Sequence, residues 1–278
     1  MQTNKRSWSI SHIVWTMIFI IIVVIWLMPI LFALGTSFRS LPDVYNNVLA
    51  FIPLRPIFSN YVKLFERLPL FRIIANTFTI ATSVTVLKLI LSFFSAYAFV
   101  YYDFKAKKTA YFLFISSIFI PFTVTMIPNY LMINKIGLGN NIFGVVFPLV
   151  TDATGILLMN QAMRNIPYSL IEVAKLDSIS DTRIMKDIIL PLIRPQLTST
   201  GIWFFINAWN EFVWPSLFLK TENNFTLPLA LQLFMSAEGG TDFTVAMAIS
   251  VITMSIPLAL YLIFQKYIIG TFTSAGIK

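Results

Sequence analysis

The sequence has no cysteine, a single histidine and few charges for its length. The missing cysteine excludes disulfides, thiolate metal centres and cysteine nucleophiles together. His12 alone cannot build a histidine metal site, and its place just ahead of the first apolar run reads as interfacial. Charged residues make up 12% of the chain, against about 25% in a soluble domain. No GxxxxGK[ST] loop is present to cradle a nucleotide's phosphates, so ATP hydrolysis is not expected of this chain. Soluble domains, low-complexity tracts and obvious internal repeats are also missing. What the sequence has in quantity is apolar: 57% hydrophobic residues, 27 of them Phe, and a mean hydropathy of +0.79. These values place most side chains in lipid or in a lipid-embedded core, and one membrane domain, residues 1–278, accounts for the whole length.

A helix needs about 20 apolar residues to cross a bilayer. Ile13–Leu34 supplies such a run, with Thr16 its clearly polar member. It follows Lys5 and Arg6 as a signal peptide would, but it exceeds the 7–15 residues of a signal h-region, so it reads as a retained span. Five more are predicted, at Ile73–Val100, Ala110–Ile133, Asn141–Met163, Leu197–Leu219 and Phe243–Gln265. Pro29, Pro121, Pro128 and Pro148 fall inside these spans. Packed neighbours can re-satisfy the carbonyls such prolines free, which favours a bundle over isolated anchors. The reading is therefore all-α, with six transmembrane helices.

The net charge of +8 would raise nucleic acid as a partner of a soluble protein, but in a membrane chain it reads as topology. With both termini cytoplasmic, twelve of the 20 Lys and Arg lie inside, among them Lys5, Arg6, Lys266 and Lys278. Seven lie outside, four of them in the first outer loop, and Lys88 is left in the membrane.

The loop between the fourth and fifth spans, Arg164–Pro195, is neither Gly/Ser-rich nor Pro-rich throughout. Pro167 and Ser169 start a helix, with Ser169 as N-cap and Leu170, Ala174 and Leu176 as its apolar face. Asp177-Ser178 interrupts it. Ser180 or Asp181 caps a second helix, in which Ile184, Ile188 and Ile189 recur at helical spacing and which Pro191 and Pro195 end. Two short amphipathic helices at the inner face of the membrane form either a projection or a pair lying on lipid.

The spacing within this loop resembles the EAA loop of binding-protein-dependent ABC import permeases. That motif runs Glu-Ala-Ala, three residues, Gly, nine residues, Ile-x-Leu-Pro. Here Glu172-Val173-Ala174 is followed, after three intervening residues, by Ser178 and, after nine more, by Ile188-Ile189-Leu190-Pro191. Val173 and Ser178 depart from the motif. A serine kept in the left-handed conformation the glycine allows would cost about 1–2 kcal/mol. Trp209-Asn210-Glu211-Phe212-Val213-Trp214-Pro215 resembles the fifth-span signature of the carbohydrate-uptake branch, the maltose and glycerol-3-phosphate type. Phe225-Thr226-Leu227-Pro228-Leu229, Tyr102-Asp103-Phe104-Lys105, Asn76-Thr77 and the tail Gln265-Lys266-Tyr267, Gly270 and Ala275-Gly276 fit the same branch.

The resemblance implies a MetI-like permease of the bacterial inner membrane, with a cytoplasmic helix-turn-helix coupling loop. It implies a second homologous permease subunit, two cytoplasmic ATPase subunits that hold ATP and magnesium, and an extracytoplasmic solute-binding protein. No cofactor is expected on this chain. Glu172, Ala174, Asp177, Ser178, Ile188, Leu190 and Pro191 would form the coupling element, with Ala174 small for close packing. Candidates for a translocation path are Lys88, Asp152, Asn207, Trp209, Asn210 and Glu211, because polar and charged groups inside a membrane usually face a cavity or a partner. Lys88 and Asp152 could equally pair with each other, whereas an unpaired Lys88 would suit an anionic solute. Glu211 could simply hydrogen-bond within the bundle. Nearby aromatics, Trp203 to Trp214, could stack on sugar rings or serve as packing.

Two rival classes remain. A secondary transporter or channel would show internal repeats and discontinuous midplane helices, and neither is evident in the sequence. An intramembrane enzyme would need a nucleophile and base together, and the residues for one are scarce.

Overall fold

The computed structural model describes residues 10–48, 50–235 and 242–276, with side chains described up to residue 266. Lys5, Arg6 and Lys278, which entered the charge reading, lie outside the described residues, as do the side chains of the tail signature beyond Lys266. All regular structure among the described residues is helical. The chain divides into two compact units, 1–68 with 231–254, and 69–230 with 255–278.

In the first unit, α1 (Ile10–Ser37) is exposed and apolar all round until its last turn, where Gly35, Thr36 and Ser37 are buried. Such a surface belongs in lipid. Gly35 is required because the backbone carbonyl of Phe51 occupies the space a Cβ would fill. Beyond α1, Arg39 is 1% exposed. Its guanidinium donates to Asp43 Oδ2 at 2.6 Å, to the Ala50 carbonyl at 2.9 Å, and to the carbonyls of Asp43 and Asn47 at 2.8 Å. That network ties α2 (Leu41–Asn46) and the segment after it into one knot. Asn60 on α3 (Ser59–Arg67) donates to the carbonyls of Ser37 and Arg39 and accepts from Thr244 Oγ1. The Arg39 charge is thus committed to internal structure.

The second unit is organised on α4 (Leu70–Tyr101), a continuous 32-residue helix. Against it pack α7 (Ile142–Leu149), α8 (Ala153–Arg164) and α12 (Arg194–Trp209).

Three of the six predicted spans are not single helices. The third is broken between α5 (Lys107–Ser116), extended by a 3₁₀ turn to Phe119, and α6 (Phe122–Lys135), with a 100° bend. Ile120 and Pro121 are extended there, because a proline restricts the residue before it and supplies no amide. The fourth bends by 50° between α7 and α8, just after Pro148. The fifth stops at Trp209 and resumes as α13 (Val213–Phe218). At 16 residues α12 reaches only about 24 Å, short of a ~30 Å hydrocarbon core. Pro29, Pro128 and Pro257 by contrast sit inside continuous helices. Leu227–Met235 (α14) and Phe243–Gly276 (α15) complete the chain, and α15 contains the predicted sixth span.

Candidate functional site

The loop 164–195 folds as two helices, but not with the predicted faces or caps. The first, α9 (Tyr168–Leu176), begins one residue before Ser169, and Pro167 occupies the capping position. Its buried residues are Ile171 and Ala174, which are 0% and 4% exposed. Leu170 and Leu176, expected on the apolar face, are exposed, Leu176 to 83%. Ala174 is small because it is packed within this chain, in a cluster with Ala96, Tyr97, Tyr101, Met159, Met163, Ile184 and Ile189. The opposite face presents Ser169, Glu172, Val173 and Leu176 at helical spacing, all exposed.

The turn after α9 keeps the geometry expected for glycine. Ser178 has φ +57°, the left-handed region. The Ile179 amide donates to the Ala174 carbonyl at 3.0 Å, and the Ser178 amide to the Lys175 carbonyl at 3.0 Å. That pair of bonds is a Schellman ending, which satisfies carbonyls the helix would leave free. Ser178 therefore keeps the left-handed conformation and carries its strain. Asp177 forms the end of α9, and its amide donates to the Val173 carbonyl.

The second helix starts at α10 (Asp181–Arg183), runs through a π-helical stretch at Ile184–Ile189, and continues as α11 (Leu190–Leu192). Ser180 takes the capping position without a side-chain bond. The prolines do not end this helix as expected. Pro191 opens α11 and Pro195 opens α12. A proline clashes with the carbonyl four residues back, and the wider π turn ahead of Pro191 accommodates it. Ile189 is fully buried, Ile188 half-buried, and Leu190 and Pro191 exposed.

A tyrosine cluster holds both arms of the loop. Tyr101 Oη donates to the Met163 carbonyl at 3.1 Å, at the end of α8. Tyr97 Oη donates to Asp181 Oδ1 at 3.1 Å, and Tyr102 Oη donates to Asp181 Oδ2. The Lys175 ammonium lies 5.9 Å from the Tyr102 ring centroid. The Tyr102 hydroxyl, with Tyr97 and the positive charge of Lys175, outweighs desolvation and holds the Asp181 carboxyl below its ordinary value. The same bond raises the Tyr102 hydroxyl. Sequence reasoning named Asp181 only as a possible cap. The Tyr102-Asp103-Phe104-Lys105 signature was the available signal.

Inside the membrane, the two acidic residues resolve as caps of broken spans. Asp152 Oδ1 accepts from the Thr154 amide at 2.8 Å at the start of α8. Its Oδ2 accepts from Lys88 Nζ at 2.9 Å. The Lys88 ammonium also lies 4.9 Å from the Phe204 ring centroid on α12. Glu211 Oε1 accepts from the amides of Val213 and Trp214, at 2.9 and 3.2 Å, and so caps α13. Each break exposes amides that lipid cannot hydrate, and a carboxylate satisfies them. Gly155 lets α8 meet α4 and α12, since a Cβ there would lie 2.7 Å from Phe204 Cζ and closer still to Ser92 Oγ. A cleft of about 730 Å³ opens beside the pair, lined in part by Ser92, Ser95, Ser117, Thr151 and Asp152.

Trp209 is fully buried and stacks on Phe205, with ring centroids 5.8 Å apart. Asn207 and Asn210 are exposed and share a face of α12 with Trp203, which is 45% exposed. Asn210 donates to the Ile206 carbonyl at 2.9 Å, within its own helix.

The long apolar helices, the broken spans and the helix-turn-helix between α8 and α12 describe a membrane-spanning helical protein. Residues 88–271 match the family described as binding-protein-dependent transport system inner membrane component. The chain belongs to this family, the permease subunits of ABC importers. It is 29% identical over 253 residues to the arabinooligosaccharides transport system permease protein AraQ of Halalkalibacterium halodurans, covering 90% of each chain. It is 25% identical over 268 residues to the sn-glycerol-3-phosphate transport system permease protein UgpE of Rhizobium meliloti, covering 94% of this chain and 95% of that one. It shares its fold with a chain of a bacterial ABC transporter involved in the import of the acidic polysaccharide alginate. There the TM-score is 0.82 at 24% identity, over 96% of this chain and 99% of the other.

The family and fold implied by the EAA-like loop are thereby established. Contrary to the sequence expectation, discontinuous helices are present, so they do not separate the chain from a secondary transporter. Family membership decides that question instead.

Proposed function

We propose that this chain is one permease subunit of an ATP-driven importer for a carbohydrate, and that α9 is its handle for the ATPase. The observation that carries the reading is the division of α9. Ile171 and Ala174 fasten it to the chain, while Ser169, Glu172, Val173 and Leu176 face outward. A leucine exposed to 83% beside a carboxylate fits a partner's apolar cleft with a polar or basic rim. The partners of this reading are two cytoplasmic ATPase subunits carrying ATP and magnesium, a second permease subunit and an extracytoplasmic solute-binding protein. Both termini lie in the cytoplasm of a bacterial cell whose inner membrane the chain crosses. Closure of the ATPases draws the loops together and rocks the two permeases about a shared path.

For this chain's share of the path, Asn207 and Asn210, with Trp203 beside them, supply amides and a ring face suited to a hydroxyl-rich solute. Lys88 is committed to Asp152, which favours an uncharged carbohydrate over a sugar phosphate or glycerol phosphate.

The test is retention of the ATPase on the purified permease, followed by uptake. Leu176→Arg with Glu172→Arg is expected to lower ATPase retention at least tenfold and to abolish uptake. In cells carrying the intact importer, an arabino-oligosaccharide is expected to compete for uptake and sn-glycerol 3-phosphate is not. Uptake by this chain alone in liposomes would sink the reading.

A further inference from the structure

Asp181 is 84 residues from Tyr97 and 79 from Tyr102 in the sequence, yet both hydroxyls converge on its carboxylate. It is the first residue of the loop's second helix, directly after the Ser178 turn. Both tyrosines belong to the end of α4, Tyr97 inside the helix and Tyr102 at its C-cap. The carboxylate offers one oxygen to each hydroxyl, so the contact fixes direction as well as distance. Tyr101, between them in sequence, grips the end of α8 on the loop's other side. Below these bonds Ile171, Ala174, Ile184 and Ile189 pack on Ala96 and Tyr97. The apolar cluster alone could slide, whereas two charge-assisted bonds to one carboxylate resist sliding. Nine residues along α4 from Tyr97 is Lys88, the helix's link to the break in the fourth span.

We infer that Asp181 is a positioning residue that locks the coupling loop to α4. Displacement of the loop by the ATPase is then transmitted along α4 to the Lys88–Asp152 break rather than absorbed by sliding of the second helix over α4. This role rests on the coupling reading above, while the lock itself is a property of this chain alone.

The absence of native cysteine allows clean labelling. Spin labels on Phe94→Cys in α4 and Lys186→Cys in the second helix report the lock, both positions being exposed. In lipid nanodiscs the intact chain is expected to give a narrow distance distribution, and Tyr97→Phe with Tyr102→Phe to at least double its width. Asp181→Leu is expected to match that double variant, and Asp181→Glu to recover at least half of the lost order. In the assembled importer, Ser117→Cys on the cleft wall is probed with a water-soluble maleimide. ATP with vanadate is expected to change its reactivity at least threefold, and the tyrosine double variant to remove most of that change while the ATPase still co-purifies. Unchanged distance widths in the variants overturn the lock whatever the ATPase does. An intact chain that retains no ATPase overturns the coupling reading, and the transmission role with it, while the nanodisc distances still stand.

Discussion

Removing one partner of the Lys88–Asp152 pair should cost far more than removing both. The two side chains are 14% and 19% exposed and meet at 2.9 Å. Asp152→Asn keeps an oxygen for the Thr154 amide, because Asn caps helices about as well as Asp. It therefore isolates the charge, leaving the Lys88 ammonium only the Phe204 ring. Breaking a buried pair costs about 3–5 kcal/mol, and the partial exposure here argues for the lower end, about 3 kcal/mol. Lys88→Met strands the carboxylate instead, at about 2–3 kcal/mol. The double variant leaves no uncompensated charge, retains the cap, and should lose under about 1 kcal/mol. The coupling energy is then at least about 4 kcal/mol, well above the ~0.5 kcal/mol expected of independent sites. Unfolding by SDS in mixed micelles, followed by the fluorescence of the six tryptophans, measures all four corners of the cycle. Additive single effects would falsify the claim that the pair is an internal ion pair, and would return Lys88 to the list of residues free to meet an anionic solute.

Other outcomes follow from the same geometry. Ser178→Gly relieves about 1–2 kcal/mol of left-handed strain and gives back part of it as unfolded-chain entropy, a net gain near 1 kcal/mol. Hydrogen exchange at the Ile179 amide should slow about fivefold as a result. Gly155→Ala should destabilise by about 1–3 kcal/mol through overpacking against Ser92 and Phe204, and Gly155→Ala in a Ser92→Ala background should recover part of the loss in the same SDS assay. Glu211→Ala frees two amides at the start of α13 and should cost about 1–2 kcal/mol, whereas Glu211→Gln should cost less than half as much. The Asp181 carboxyl lies below its ordinary 3.8 when folded, so its contribution is fully present above that value and is lost only as pH falls through the depressed one. The Phe94–Lys186 label distances should therefore be the same at pH 7 and pH 5.

The loop shows how far a local reading reaches. The spacing of Glu172, Ser178 and Pro191 located a helix-turn-helix and pointed to Ser178 as its turn, because a Schellman ending is set by the few residues around it. Of the face read as apolar, Ala174 is buried, whereas Leu170 and Leu176 are exposed. Leu170 and Leu176 are more apolar than Ala174, but the packing partners on α4 and α8 select Ile171 and Ala174. The same limit appears at Pro191 and Pro195. A proline breaks a regular helix from its own sequence, yet a π turn or a fresh helix start can absorb it once the surrounding packing demands a helix there. The broken spans were hidden for a related reason. Hydropathy averages over a window, and residues on both sides of each break are equally apolar.

Composition alone made this an all-helical membrane protein, because a bilayer leaves a chain so poor in charge few other solutions. The sequence also placed the apolar segments and the helix-turn-helix loop 164–195, whose signals are short-range. Tertiary structure decided the partners. It gave Asp152 to Lys88 and to the α8 amide, Glu211 to the start of α13, and Asp181 to two tyrosines about eighty residues away. A carboxylate in lipid must be satisfied, and that much is legible in the sequence. Which cation, amide or hydroxyl satisfies it depends on helix packing, which brings together residues the chain keeps far apart.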